Sequence, residues 1–137
     1  MKKKYNISIV GQSNTGKSSF VNSLANKYIT TESKKLQTTR INLSNTIKID
    51  DFDINIIDTP GTSLINNDLL SESMKNSFIK TLDLIDIIII MLDINNKDLN
   101  YEESIIKLVS PTTHIMLVIN KIDLAKDDLS DLQKIKN

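Results

Sequence analysis

The chain has no cysteine and no tryptophan, and only three glycines, two prolines and one histidine among 137 residues. Without cysteine there is no disulfide, no thiolate zinc site and no thiol nucleophile, and a cytoplasmic location is compatible with that usage. A surplus of either charge is also missing. Seventeen Lys and Arg balance seventeen Asp and Glu, so bulk charge gives no nucleic-acid or membrane footprint, and any RNA contact must be local. The longest apolar run, LIDIIIIMLDI, carries two aspartates and is too short to span a bilayer, so no membrane segment is expected and the run reads as a buried parallel strand. In MKKKYNISIVG a basic run precedes an apolar stretch, but Asn6 and Ser8 interrupt it and no cleavage site follows. It reads as a first strand. No repeat, low-complexity block or linker divides the chain.

What is present suits one globular domain over residues 1–137: 39% hydrophobic and 25% charged, weighted towards Ile and Leu. Strand-like and helix-like patterns alternate after one hairpin, which implies an α/β fold with a mostly parallel sheet and helices on both faces. The first strand runs from about Tyr5 to Val10, and a helix follows through Val21 and Leu24. In NTIKIDDFDINIID, Ile47 and Ile49 alternate with polar residues, Asp50 and Asp51 suit a turn, and Phe52, Ile54 and Ile56 resume the alternation, giving an antiparallel hairpin strand. Leu70, Met74, Phe78 and Leu82 recur at helical spacing. A further helix is expected near Asn100, with Asn100 and Glu103 as a reciprocal cap and Ile105, Ile106 and Val109 as its apolar side. HIMLVIN reads as the fifth strand, and Leu129, Leu132 and Ile135 as a last helix.

GQSNTGKS, residues Gly11, Gln12, Ser13, Asn14, Thr15, Gly16, Lys17 and Ser18, fits G-x-x-x-x-G-K-[ST] between a strand and a helix, with Ser19 continuing the helix. Such a P-loop surrounds phosphates with backbone N–H groups, and the helix aims its N-terminal dipole at the same charge. Lys17 would neutralise the β- and γ-phosphates, and the Ser18 hydroxyl would take a Mg²⁺ position. Downstream, INIIDTPG ends a strand in Asp58, followed by Thr59, Pro60 and Gly61. A carboxylate at the C-terminal edge of a parallel sheet can hold Mg²⁺, often through water, and Gly61 can offer its N–H to the γ-phosphate. NKID follows the fifth strand. Guanine offers two donors that one carboxylate accepts together, which suits Asp123, whereas adenine sets an acceptor against it, a mismatch that can discriminate by roughly 10⁴ to 10⁵. Asn120 would brace the loop or contact the base, and the stem of Lys121 would cover one ring face.

In this order the motifs resemble the GTPase domain of the translation-factor-related class, and most closely the Era-like group, from about Lys4 to Asp127. The choice within the class depends on KKLQTTRINL, because Era-like first switches carry Q-T-T-R, here Gln37 to Arg40. The EngA- and MnmE-like relatives, which usually have T-R-D after a glycine-containing stretch, remain the alternative. The resemblance implies a P-loop NTPase fold that binds GTP or GDP with Mg²⁺. It also implies that Thr39, beside Thr38, joins Mg²⁺ and senses the γ-phosphate. It makes Asn14 a candidate K⁺ ligand, although an asparagine in a tight loop can equally satisfy backbone groups. It implies a role in small ribosomal subunit assembly with ribosomal RNA as partner, and slow intrinsic hydrolysis, because Thr62, Ser63 and Leu64 stand where a water-orienting glutamine would be sought. The family's fifth guanine motif, its last strand and helix, and its RNA-binding KH domain have no counterpart in these residues. HIMLVIN is therefore expected to form a sheet edge that aggregates or takes a covering partner. A nucleotide-binding remnant or interaction module without useful catalysis is the reading of a different kind.

Overall fold

The computed structural model describes residues 3–12, 15–28, 37–38, 41–58, 76 and 79–124. In chain order these form β1 (Lys3–Gly11), α1 (Lys17–Tyr28), β2 (Gln37–Thr38), β3 (Ile41–Ile49), β4 (Phe52–Asp58), β5 (Ile87–Asp93), α2 (Asn100–Leu108), β6 (His114–Asn120) and a 3₁₀ turn, Ile122–Leu124. Residues 79–82 are also helical. The strands make one sheet in the order β2-β3-β4-β1-β5-β6. β1 pairs parallel with β4 and β5, β5 pairs parallel with β6, and β3 runs antiparallel to β4. The α/β fold with a mostly parallel sheet and an antiparallel hairpin strand is the one the sequence implied.

The strand pattern follows from burial. β5 lies between β1 and β6, and Ile88, Ile89, Ile90, Met91 and Leu92 are all buried. A strand covered on both faces has no reason to alternate, so it reads as an unbroken apolar run. Ile88, Ile90 and Leu92 join Val10, Ile57, Leu82, Ile85, Tyr101 and Ile105 in one core, which places α2 and the segment ending at residue 82 over the same part of the sheet. β3 alternates instead, with Ile47 buried and Lys48 exposed. Its turn is the expected one: Ile49 pairs with Phe52, and Asp50 takes φ +50°, which aspartate tolerates better than most side chains.

A polar line crosses the hydrophobic sheet. The Thr46 hydroxyl donates to Asn55 Oδ1 at 3.1 Å, Asn55 Nδ2 donates to Asn6 Oδ1 at 3.1 Å, and Asn6 Nδ2 donates to the Leu84 carbonyl at 3.0 Å. Asn6 N also donates to Asp86 Oδ2 at 2.7 Å. The line joins β3, β4 and β1 to the turn before β5.

Four expectations change in detail. β1 and β3 are longer than expected, because pairing with β4 continues through Lys3 and Lys4 in β1 and through Asn42 and Leu43 in β3. Gln37 and Thr38, read as part of a switch loop, pair antiparallel with Asn42 and Ile41 as the short β2. Asn100 does not cap α2. The cap position is Leu99, without a side-chain bond; Asp98 Oδ1 instead accepts from Asn100 N at 3.0 Å, because its carboxylate lies two residues back, within reach of that N–H. Ile106, counted with the apolar side of this helix, is exposed, while Ile105 is fully buried. Of Leu70, Met74, Phe78 and Leu82, on which the expected helix rests, only Leu82 is described, within the helical residues 79–82, and the last helix, with Leu129, Leu132 and Ile135, lies outside the described residues.

Candidate nucleotide-binding site

β1, β4, β5 and β6 are parallel, so their last residues, Gly11, Asp58, Asp93 and Asn120, come to one edge of the sheet. After β1 the chain builds β2, β3 and β4 on one side, and after β4 it crosses to β5 and β6 on the other. Such a change of direction opens a crevice beyond the strand ends, the usual ligand position in open α/β sheets.

The P-loop leaves β1 at Gly11 and enters α1 at Lys17. Both of its glycines are sterically required. A Cβ on Gly11 would lie 2.7 Å from the Met91 carbonyl oxygen and 2.9 Å from Thr15 Oγ1. Gly16 has φ +99°, and a Cβ there would run into Asn120 Nδ2. Lys17 Nζ donates to the carbonyls of Gly11 at 2.6 Å and Gln12 at 2.7 Å, leaving one of its three hydrogens for a further acceptor. Burial lowers the pKa of this ammonium, an effect that a neighbouring anion would oppose. The Thr15 hydroxyl donates to the same Gln12 carbonyl at 3.0 Å, and Thr15 is buried. Ser18 and Ser19 are exposed in the first turn of α1.

At the other end of the crevice, Asn120 Nδ2 donates to the Thr15 carbonyl at 2.9 Å. This bond braces the phosphate loop from the end of β6. Lys121 takes φ +62°, and its Nζ donates to Asp93 Oδ2 at 3.1 Å, which leads the lysine stem back across the end of β5. Asp93 Oδ1 accepts from Asn95 N at 2.9 Å, and Asn95 Nδ2 donates to the Leu124 carbonyl at 2.9 Å. Asp123 is exposed within the 3₁₀ turn that this bond holds. Its carboxylate therefore faces solvent at the crevice end of β6.

The remaining expected residues are placed less completely. Asp58 ends β4 one step beyond the Ser8–Ile57 pair, so its backbone reaches the crevice edge. Ser13, Asn14, Thr39, Arg40, Thr59, Pro60 and Gly61 lie outside the described residues. Of the Mg²⁺ ligands expected, Ser18 is the one whose side chain is described. Its exposed hydroxyl beside Lys17 fits a cation bound next to phosphates. Glycines where a side chain would collide and an ammonium over the loop carbonyls likewise fit a phosphate chain. When bound, Mg²⁺ would supply charge that offsets the phosphate oxygens.

Residues 6–121 match the family described as 50S ribosome-binding GTPase. The chain belongs to that family. Guanine-nucleotide and Mg²⁺ binding are therefore properties of its class. Among solved structures, this GTPase domain is similar to Era from Aquifex aeolicus bound to GDP·AlF4−, at 27% identity and TM-score 0.60, over 98% of this chain and 46% of that one. A second Era structure, with MgGDPNP and a segment of 16S ribosomal RNA, matches at 26% identity and TM-score 0.62, over 99% of this chain and 46% of that one. Nucleolar GTP-binding protein 1 from Plasmodium falciparum matches at 23% identity and TM-score 0.71, over 98% of this chain and 69% of that one, and shares the fold. The GTPase domain spans less than half the length of either Era chain.

Two contacts had no signal in the sequence. Asp93 holds Lys121. Gln12 Nε2 donates to the Asp98 carbonyl at 3.1 Å and to the Glu102 carboxylate at 3.2 and 3.3 Å. Each pair is far apart in sequence and joined only by the fold, one by the pairing of β5 with β6 and the other by the packing of α2.

Proposed function

We propose that the chain is an Era-type GTPase that hydrolyses GTP to GDP and phosphate and acts in small ribosomal subunit assembly. The observation that carries the nucleotide part is the 2.9 Å bond from Asn120 to the Thr15 carbonyl, which ties the base-reading motif to the phosphate loop. In this reading Lys17 holds the β- and γ-phosphates, Asp123 accepts guanine N1–H and the exocyclic amine, and Lys121 lies along the ring. Ser18, Thr39 and Asp58 hold Mg²⁺, Thr39 responds to the γ-phosphate, and Asn14 contributes to a K⁺ site. Water attacks the γ-phosphate, and the bond to the β-phosphate oxygen breaks. With no glutamine following Gly61, turnover without a partner is slow.

The ribosomal part rests on Gln37 to Arg40 and on the likeness to Era, one of whose structures contains 16S ribosomal RNA. A cytoplasmic site of action goes with it. An EngA- or MnmE-like role would keep the chemistry and change the RNA client.

Fluorescent GDP in Mg²⁺ buffer tests the site first. Displacement by GTP and not ATP is expected, with hydrolysis faster in K⁺ than in Na⁺. Lys17→Ala should lower hydrolysis by at least about a hundredfold, since it removes electrostatic stabilisation of the transferred group; normal turnover by this variant would exclude the mechanism. The missing glutamine favours a second reading, a nucleotide-binding module without useful catalysis. Binding without turnover would select it.

A further inference from the structure

The side chain of Gln12 does not face the crevice. Both hydrogens of its amide nitrogen are taken up at the leading end of α2, by the Asp98 carbonyl at 3.1 Å and by the Glu102 carboxylate at 3.2 and 3.3 Å. Both neighbours are acceptors, so the amide must present its nitrogen to them, and the orientation is fixed by chemistry. Glu102 is 4% exposed, third in the helix after the cap position, where the helix dipole favours negative charge. A carboxylate this buried needs donors. Gln12 supplies one from a segment 90 residues away in sequence.

The backbone of the same glutamine is the hub of the phosphate loop. Its carbonyl accepts from Lys17 Nζ at 2.7 Å and from the Thr15 hydroxyl at 3.0 Å. Whatever fixes Gln12 therefore fixes the point against which Lys17 rests. We propose that Glu102 is a positioning residue for the phosphate loop: through Gln12 it holds the carbonyl on which Lys17 and Thr15 rest, and with it Lys17, in the place that receives a nucleoside diphosphate. Glu102 touches no nucleotide itself. It lowers the ordering cost of binding, because the loop is already held before the phosphates arrive. This inference rests on the nucleotide-binding reading above, and it makes the position of α2 a determinant of nucleotide affinity.

The test uses the full chain and four variants, Glu102→Ala, Glu102→Gln, Gln12→Ala and the double alanine, with the GDP dissociation constant read by fluorescent GDP. Melting of the nucleotide-free forms is followed alongside. Glu102→Ala is expected to weaken GDP about tenfold, the size of coupling found within one hydrogen-bonded network. Glu102→Gln keeps an oxygen that can accept from Gln12 and should restore most of the affinity. The double alanine should bind no worse than Gln12→Ala, because one strut can be lost only once. Unchanged affinity in Glu102→Ala, no rescue by glutamine, or additive losses in the double variant would each overturn the strut. If Glu102→Ala does not fold, Gln12→Ala and Glu102→Gln still decide: the first must weaken GDP and the second must bind nearly as the wild type does. Should the wild type fail to bind GDP, the nucleotide reading falls and the strut with it; wild-type binding with unaffected variants removes the strut alone.

Discussion

Gly16 carries two constraints at once, a φ of +99° and a hydrogen facing Asn120 Nδ2 where a side chain would not fit. Gly16→Ala is therefore expected to destabilise the fold by about 1–3 kcal/mol through backbone strain alone. It should also push Asn120 off the Thr15 carbonyl. Guanine nucleotide affinity should then fall together with the melting temperature, and calorimetric melting with GDP titration would check both. A variant with wild-type values in each would show that Gly16 is not held as described. At this scale the sequence was most legible where a residue type has few reasons to be present. Gly11 and Gly16, the two glycines of the phosphate-loop motif, both stand where a Cβ would collide. Gln12 and Glu102 were opaque, since glutamine and glutamate occur on any surface and their pairing is invisible without the third dimension.

Among the elements, β5 was legible in full and α2 only in part. An uninterrupted run of Ile, Leu and Met bounded by aspartates leaves little choice but a doubly covered strand. The start of α2 was misread because several Asn and Asp residues precede it, and which of them reaches an N–H depends on the turn they themselves form. The Thr46, Asn55 and Asn6 line is the element-scale feature that composition could not foresee. Asn55 accepts from one neighbouring strand and donates to the other, so Asn55→Ala removes two bonds and leaves half-buried partners behind. A loss of about 1–3 kcal/mol is expected, read as a lower urea midpoint with an unchanged m-value. No change in midpoint would mean that water replaces the line without cost.

For the molecule as a whole, the open question is the outer edge of β6. Within the described sheet it is the terminal strand, and Ile115, Met116 and Leu117 are 42%, 51% and 43% exposed. Consecutive residues of a strand point to opposite faces, so apolar surface is open on both. Edges of this kind pair with other chains unless a charge or a cover prevents it. Met116→Lys is expected to reduce concentration-dependent association in sedimentation runs while leaving GDP affinity unchanged, since the site lies at the far end of the strand, beyond Asn120. Association that persists undiminished would place the contact elsewhere. No helix among the described residues is long and apolar enough to cross a membrane.

The sequence by itself determined the class of the protein: an α/β chain with a G-x-x-x-x-G-K-S loop, a strand-ending aspartate and an N-K-x-D turn, in that order. Those features are local, and each is a short string that can be read without the rest of the chain. The tertiary structure decided how the strings act on one another. Parallel pairing of β1, β5 and β6 brings Asn120 to Thr15 and Lys121 to Asp93, and the packing of α2 brings Glu102 to Gln12. These contacts span 105, 28 and 90 residues of chain. Residues so far apart meet only because burial of the β5 isoleucines and leucine fixes the sheet order, and hydrophobic burial does not record in any one segment which distant polar groups it will bring together.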